Sequence, residues 1–188
     1  EHGKRLFQKT MDQMSAERKK RIIALPFFTS LPLKNEISFD FRRVFPGMGW
    51  QVGEEHPVHK IIRWSGPGTV SKLFFPISKR RDVRIEFQVV SWVTDTVLES
   101  LELFVNGETV LLKKEPMMNS DGCLFSGIIP KLVLRKRKGS SEFTFRVKET
   151  LRPIDIMPNN PDERQIGLCY THLSIEPCSM DRQVMQSL

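Results

Sequence analysis

Apolar and polar residues alternate along several short stretches of the chain after about residue 35. The clearest cases are residues 82–89 (DVRIEFQV) and 142–148 (EFTFRVK), in which every second side chain is apolar. A period of two is typical of a strand with one buried and one solvated face. Further strand-like stretches are predicted at residues 37–41, 59–64, 71–77, 97–105, 109–113, 123–129 and 164–176.

Turn-forming residues separate these stretches. Asn106-Gly107 lies between two of them, and both central positions of a type I′ hairpin turn require a positive φ. Residues 65–68 (SGPG), 121–122 (DG) and 138–140 (KGS) interrupt the pattern in the same way. Eight or nine short strands without an alternating strand–helix pattern predict an all-β fold. We expect an antiparallel, jelly-roll-like β-sandwich.

The beginning of the chain follows a different period. Residues 4–25 are predicted to form a helix that ends at Pro26. One stripe of this helix carries Phe7, Met11, Met14, Ile22 and Leu25, with Arg18 as a misfit. The stripe could dock on the domain, pair with a second copy to form a homodimer, or belong to a linker. The predicted divisions are residues 1–34 (helix and linker), 35–178 (β-sandwich) and 179–188 (tail).

The formal net charge of +7 favours an anionic partner such as an acidic glycan, a membrane surface or nucleic acid. Much of the positive charge lies in three clusters, at residues 18–21, 79–81 and 135–138. The last two are predicted to be loop tips between strands, where charged residues are commonly just solvated. Nucleic acid is disfavoured, because the aromatic residues fall at buried strand positions and the basic clusters contain none.

The three cysteines, Cys123, Cys169 and Cys178, are an odd number and lack the spacing of metal ligands. This favours a reducing compartment, and we expect the protein in the cytoplasm or at the inner face of the membrane. Cys169 lies within an apolar strand and is interpreted as a core side chain rather than a nucleophile. Because the sequence begins with Glu1 rather than Met, it is interpreted as part of a longer chain.

Residues 53–59 (GEEHPVH) contain the types of side chain that bind metals or act as acids and bases. However, Pro57 separates His56 from His59, and no second ligand cluster is nearby in the sequence. Glu54 and Glu55 are adjacent, so in an extended segment they point in opposite directions and cannot readily share one substrate. No GxSxG, P-loop, dinucleotide-binding or HExxH motif is present. We therefore predict a non-catalytic segment with no metal and no cofactor.

Five short segments occur in a distinctive order: residues 47–50 (GMGW), 54–55 (EE), 62–65 (IRWS), 106–107 (NG) and 162–168 (DERQIGL). This order resembles a β-sandwich module attached to bacterial glycosyltransferases and other surface-polysaccharide enzymes. The resemblance extends over residues 45–177. It implies a carbohydrate-binding-like or assembly module, with a glycan and a parent or partner enzyme as partners, rather than a catalyst.

Sugar binding uses aromatic faces against C–H groups and charged side chains against hydroxyls. Side chains of these types occur within fifteen residues, and the predicted ligand-binding residues are Trp50, Glu54, Glu55, His59, Arg63 and Trp64. In the alternative interpretation, Trp64 fills the core and Arg63 pairs with Glu54 or Asp162 to close one end of the sandwich. The whole domain could also be a structural interaction module.

The last predicted strand changes its apolar phase. Ile166, Leu168 and Tyr170 occupy even positions, whereas Leu173 and Ile175 occupy odd positions. A shift of one residue within a strand is the effect of a β-bulge, which we place near residues 171–172. At the start of this strand, Asp162 and Arg164 are predicted to form a structural clasp with the segment of residues 63–64.

Overall fold

The computed structural model describes residues 31–41, 47–118 and 121–178. The helix predicted over residues 4–25 and the tail from residue 179 lie outside these ranges. Within them the protein is mostly β-structure in antiparallel sheets, which confirms the all-β prediction. No helix in the described ranges is long and apolar enough to cross a membrane.

The described residues form twelve strands and three short helices, so the short edge strands raise the count above the eight or nine predicted. The strands are β1 (Ile37–Asp40), β2 (Gly47–Met48), β3 (Glu54–His56), β4 (Lys60–Trp64), β5 (Val70–Phe75), β6 (Val83–Trp92), β7 (Glu102–Val105), β8 (Glu108–Val110), β9 (Lys113–Pro116), β10 (Cys123–Ile129), β11 (Ser141–Arg146) and β12 (Leu168–Pro177). The helices are α1 (Asp95–Glu99), α2 (Lys131–Arg135) and α3 (Pro153–Ile156).

The strands are divided between two sheets. One sheet has seven strands in the order β3-β4-β12-β6-β10-β9, with β1 paired to β12; the other has five in the order β2-β5-β11-β7-β8. From β4 to β7 each successive strand lies in the opposite sheet, and β10, β11 and β12 alternate again. The chain therefore crosses repeatedly between two antiparallel sheets.

The core lies between the facing sides of the two sheets. Phe87 on β6 and Phe145 on β11 meet edge-to-face with ring centroids 5.2 Å apart, and Tyr170 on β12 lies 5.6 Å from Phe145. All three side chains are buried. Each contributes roughly 1.5–3 kcal/mol through removal of apolar surface from water, so these contacts hold the sheets together.

Residues 97–105, predicted as one strand, instead form part of helix α1 followed by β7. Thr94 caps the helix, because its Oγ1 accepts a hydrogen bond from the backbone N–H of Val97 at 3.3 Å. The buried faces of Val97 and Leu98 are thereby presented to the core from a helical turn. This local capping outweighs the β propensity of the apolar residues.

Two local predictions are confirmed. Asn106 and Gly107 join β7 to β8 with φ angles of 50° and 87°, as a type I′ turn requires. Along β12, Tyr170 pairs with Val89 and Leu173 pairs with Phe87, so residues 171–172 together face a single residue of β6. This is the predicted bulge, and it keeps both apolar sets of β12 directed into the core.

Candidate functional site at the β3–β4 hairpin

The β3–β4 hairpin at one edge of the larger sheet carries most of the predicted site residues. Glu54 on β3 pairs with Ile62 on β4, and Trp64 on β4 pairs with Cys169 on β12. Cross-strand partners share a face of the sheet, and so do residues two apart on a strand. Glu54, Ile62, Trp64 and Cys169 therefore lie on one face, which we call the hairpin face.

Arg164 lies beside the hairpin face and binds two carboxylates. Its Nε and Nη2 donate to the two oxygens of Asp162 at 2.9 and 2.6 Å, and its Nη1 donates to Glu54 Oε1. The hydrogen bond from Arg164 lowers the pKa of Asp162 below its ordinary value. Asp162 and Arg164 thus tie the segment before β12 to β3, rather than to residues 63–64 as predicted.

Cys169 is fully buried beneath these charges. Loss of solvent, followed by the nearby charge of Glu54, raises the pKa of its thiol to about 12. A thiol with such a pKa is not ionised at neutral pH, which agrees with a core cysteine rather than a nucleophile.

The turn of the hairpin is organised by two histidines. His56 Nδ1 accepts hydrogen bonds from the backbone N–H groups of Val58 and His59 at 3.3 and 3.2 Å. The two imidazole rings are stacked with centroids 4.9 Å apart. Burial, with a smaller contribution from His56, lowers the pKa of His59. Both rings therefore brace the turn next to the hairpin face.

Trp50 occupies a different environment from the one predicted. Its ring is half-buried and contacts three core rings, those of Phe41, Tyr170 and Phe145, at centroid distances of 5.2, 5.2 and 5.9 Å. Its Nε1 donates to the backbone oxygen of Lys72 at 2.9 Å. We therefore assign Trp50 to the aromatic core rather than to a sugar-stacking face.

Arg63 points away from the hairpin face, because its neighbour Trp64 lies on that face and alternate residues of β4 face opposite sides. Its Nε donates to the backbone oxygen of Phe41 at 3.0 Å, and burial lowers its pKa. A Cβ on Gly53 would lie 3.0 Å from Arg63 Nη2, so the small residue leaves room for the guanidinium. Arg63 is thus anchored to the backbone at residue 41, whereas Glu54 and Asp162, which the alternative interpretation assigned to it, bind Arg164.

The structure brings together only part of the predicted set. Glu54 and Trp64 share the hairpin face, and His59 stacks against His56 two residues beyond Glu54. Glu55 is exposed on the opposite side of β3 from Glu54. Sequence reasoning missed that Arg164 bridges to Glu54, since 110 positions separate the two and no local spacing joins them.

The described residues contain no group of three or more His, Cys, Asp or Glu side chains placed to hold a metal ion. The hairpin face offers the carboxylate of Glu54 and the indole of Trp64, and the guanidinium of Arg164 lies beside them. In comparisons with known proteins, no protein-family model and no curated protein matches the chain.

Proposed function

We propose that the protein is a non-catalytic carbohydrate-binding module that serves an enzyme of glycan or surface-polysaccharide assembly. The observation that carries this proposal is the hairpin face, where Trp64, which is half-buried and packs against the core, lies on the same side of the sheet as Glu54. An indole face packs against the C–H side of a sugar ring, and a carboxylate accepts hydrogen bonds from its hydroxyls.

The electrostatics of the hairpin face suit this role. Arg164 holds Glu54 in one orientation, with side chains that are 38% and 36% exposed and therefore reachable from solvent. An oriented carboxylate binds a hydroxyl with less loss of side-chain freedom than a mobile one. We infer that the scaffold is a jelly-roll sandwich, in which the rigid pairing of β3, β4 and β12 fixes the distance between the indole and the carboxylate.

The net charge of +7 favours an anionic glycan, which the positive field of the protein would attract.

The test is a titration of the full chain with neutral and acidic oligosaccharides, in which tryptophan fluorescence and calorimetry measure binding. Glu54→Gln keeps the shape of the side chain and removes its charge. We expect it to weaken binding by about 10- to 100-fold, the range for a hydrogen bond to a charged group.

Trp64→Phe should abolish most of the fluorescence change while retaining an aromatic ring for packing. The matched control is Trp92→Phe, because Trp92 donates its Nε1 to Asp95 at 2.8 Å and pairs with Leu168, which faces the side of the sheet opposite to Cys169 and the hairpin face. Absence of any response across a broad glycan array, or unaltered affinity in Glu54→Gln, would show that the hairpin face is not a sugar site.

A further inference from the structure

Two basic clusters that lie more than fifty residues apart in the sequence meet at one end of the molecule. Residues 79–81 follow β5, and residues 135–138 begin at the last residue of α2. Arg135 Nε donates to the backbone oxygen of Lys79 at 3.1 Å, and Lys79 Nζ donates to the backbone oxygen of Arg137. We call residues 79–81 and 135–138 together the basic end.

Most of the charge at the basic end is not neutralised. Among its seven cationic side chains, only Lys136 and Arg137 form ion pairs with other described residues, to Glu108 and Glu142. Burial first, and the nearby charge of Arg137 second, lower the pKa of Lys79, so part of the cost of charging it is repulsion between like charges. Folding holds like charges together here, and a bound anionic surface would offset that cost.

Exposed aliphatic side chains lie next to these charges. Leu132 on α2 is 67% exposed and stands between Lys131 and Arg135 in the sequence. Helix α2 is tied to the other cluster at this point, because the backbone N–H of Lys131 donates to Asp82 Oδ1 at 2.8 Å. An exposed leucine surrounded by basic residues is typical of a surface that enters the headgroup region of a bilayer.

A second stretch of chain reinforces this pattern. Leu31 and Leu33 are 43% and 50% exposed. They lead into Lys34, whose backbone oxygen accepts a hydrogen bond at 2.7 Å from the N–H of Ser78, immediately before the basic end. Aliphatic residues thus lie next to both of its clusters.

The aromatic residue beside the basic end is poorly placed for nucleic acid. Phe74 has its ring under the guanidinium of Arg137, at 5.3 Å from the ring centroid. Proteins that bind single strands instead present open aromatic faces on which bases stack. The combination of uncompensated charge and exposed leucine therefore favours lipid over nucleic acid.

We propose that the basic end docks on an anionic lipid bilayer, with Leu132 inserted at the boundary between headgroups and acyl chains. Lys and Arg side chains lie at the level of the phosphates and are attracted by the negative surface potential. Docking is peripheral and reversible, since it depends on charge and on a few aliphatic side chains. This proposal concerns a different surface from the hairpin face and does not depend on sugar binding.

The test is sedimentation of the full chain with phosphatidylcholine vesicles, with and without about one-third phosphatidylserine. The variant Arg80→Gln/Arg81→Gln removes two exposed charges that make no hydrogen bond or ion pair with the described residues. We expect it to bind anionic vesicles about 30-fold more weakly, since each basic residue near such a surface strengthens binding about fivefold. The matched control Lys113→Gln/Lys148→Gln changes the net charge equally and should retain most of the binding.

Leu132→Ser distinguishes a bilayer from a soluble polyanion. It leaves every charge in place, so it should weaken vesicle binding about tenfold while leaving binding to heparin and to single-stranded RNA unchanged. Equal binding to neutral vesicles, or an equal loss in the control variant, would overturn the proposal. Vesicle binding that is unaffected by Leu132→Ser would also overturn it, and would assign the basic end to a soluble polyanion.

Discussion

At the scale of single residues, the clasp formed by Arg164 should make stability depend on pH. Arg164 lowers the pKa of Asp162 from the ordinary value of 3.8, so the folded state is stabilised at higher pH. This stabilisation is lost as the pH falls through the lowered pKa. We expect Arg164→Ala to reduce the free energy of unfolding by about 0.5–1 kcal/mol at neutral pH, because the pair is partly exposed.

The same difference should shrink as the pH falls below the lowered pKa of Asp162, because the carboxyl is then protonated in both proteins. Urea unfolding at a series of pH values measures this difference in the free energy of unfolding between the wild type and the variant. Arg152→Ala is the control, because Arg152 forms a comparable two-bond pair with Asp155 that is wholly on the surface. A loss of stability in Arg164→Ala that is constant over the whole pH range would mean that packing, not the ion pair, is responsible.

Tyr170 provides a second prediction at this scale. Its ring is fully buried, and its hydroxyl has no hydrogen-bond partner among the described residues. A buried polar group without a partner costs about 1–3 kcal/mol, so Tyr170→Phe should raise the free energy of unfolding by about 1 kcal/mol. Chemical denaturation of both proteins checks this. Destabilisation by the substitution would indicate that a buried water binds the hydroxyl.

Individual residues were the least predictable from the sequence. The chemistry of Glu54 and Trp64 could be read directly, and so could the burial of Cys169. The roles of Trp50 and Arg63 could not, because their partners Lys72 and Phe41 contribute backbone oxygens, which leave no trace in the side-chain pattern. A residue's type limits what it can contact, but only tertiary structure determines what it does contact.

At the scale of elements, Gly107 in the turn between β7 and β8 can be compared with Gly68, which lies just before β5. Gly107 has a φ of +87° and open space where a Cβ would lie, so Gly107→Ala incurs a backbone cost alone, of about 1 kcal/mol. Gly68 also has open space but lacks a positive φ in the left-handed region. Gly68→Ala should therefore leave stability unchanged or raise it by about 0.4–1 kcal/mol.

Thermal unfolding of the two variants distinguishes these effects. Equal changes at both positions would contradict a special role for the backbone at Gly107.

The sequence predicted this turn and the bulge in β12 because both depend on neighbours in the chain. It missed helix α1, where a single cap at Thr94 redirects residues that would otherwise favour a strand.

At the scale of the whole molecule, the alternation of polar and apolar residues was sufficient to predict an all-β protein. It could not predict that residues 79–81 and 135–138 meet, because contacts between distant loops depend on the order of strands in the sheets. From the sequence alone, each cluster was predicted to be a separate loop tip, and such a charged tip is ordinarily a solvated turn. Only their juxtaposition makes a surface with a net charge that the fold itself does not balance.

This juxtaposition predicts that repulsion between like charges at the basic end destabilises the folded protein. Arg80→Gln/Arg81→Gln removes two like charges from the basic end, so at low ionic strength it should raise the melting temperature by about 2 °C. Added salt screens the repulsion in the wild type, and the difference should shrink as the Debye length falls to about 8 Å at physiological ionic strength. Calorimetry at several salt concentrations measures both effects.

The control Lys113→Gln/Lys148→Gln should not be stabilised, because Lys113 has a favourable ion pair with Glu115 to lose. If Arg80→Gln/Arg81→Gln melts lower than the wild type, the two arginines stabilise the fold and their placement needs no external anion. If the same variant melts higher but binds anionic vesicles more weakly, the two arginines strengthen membrane binding and lower the stability of the fold.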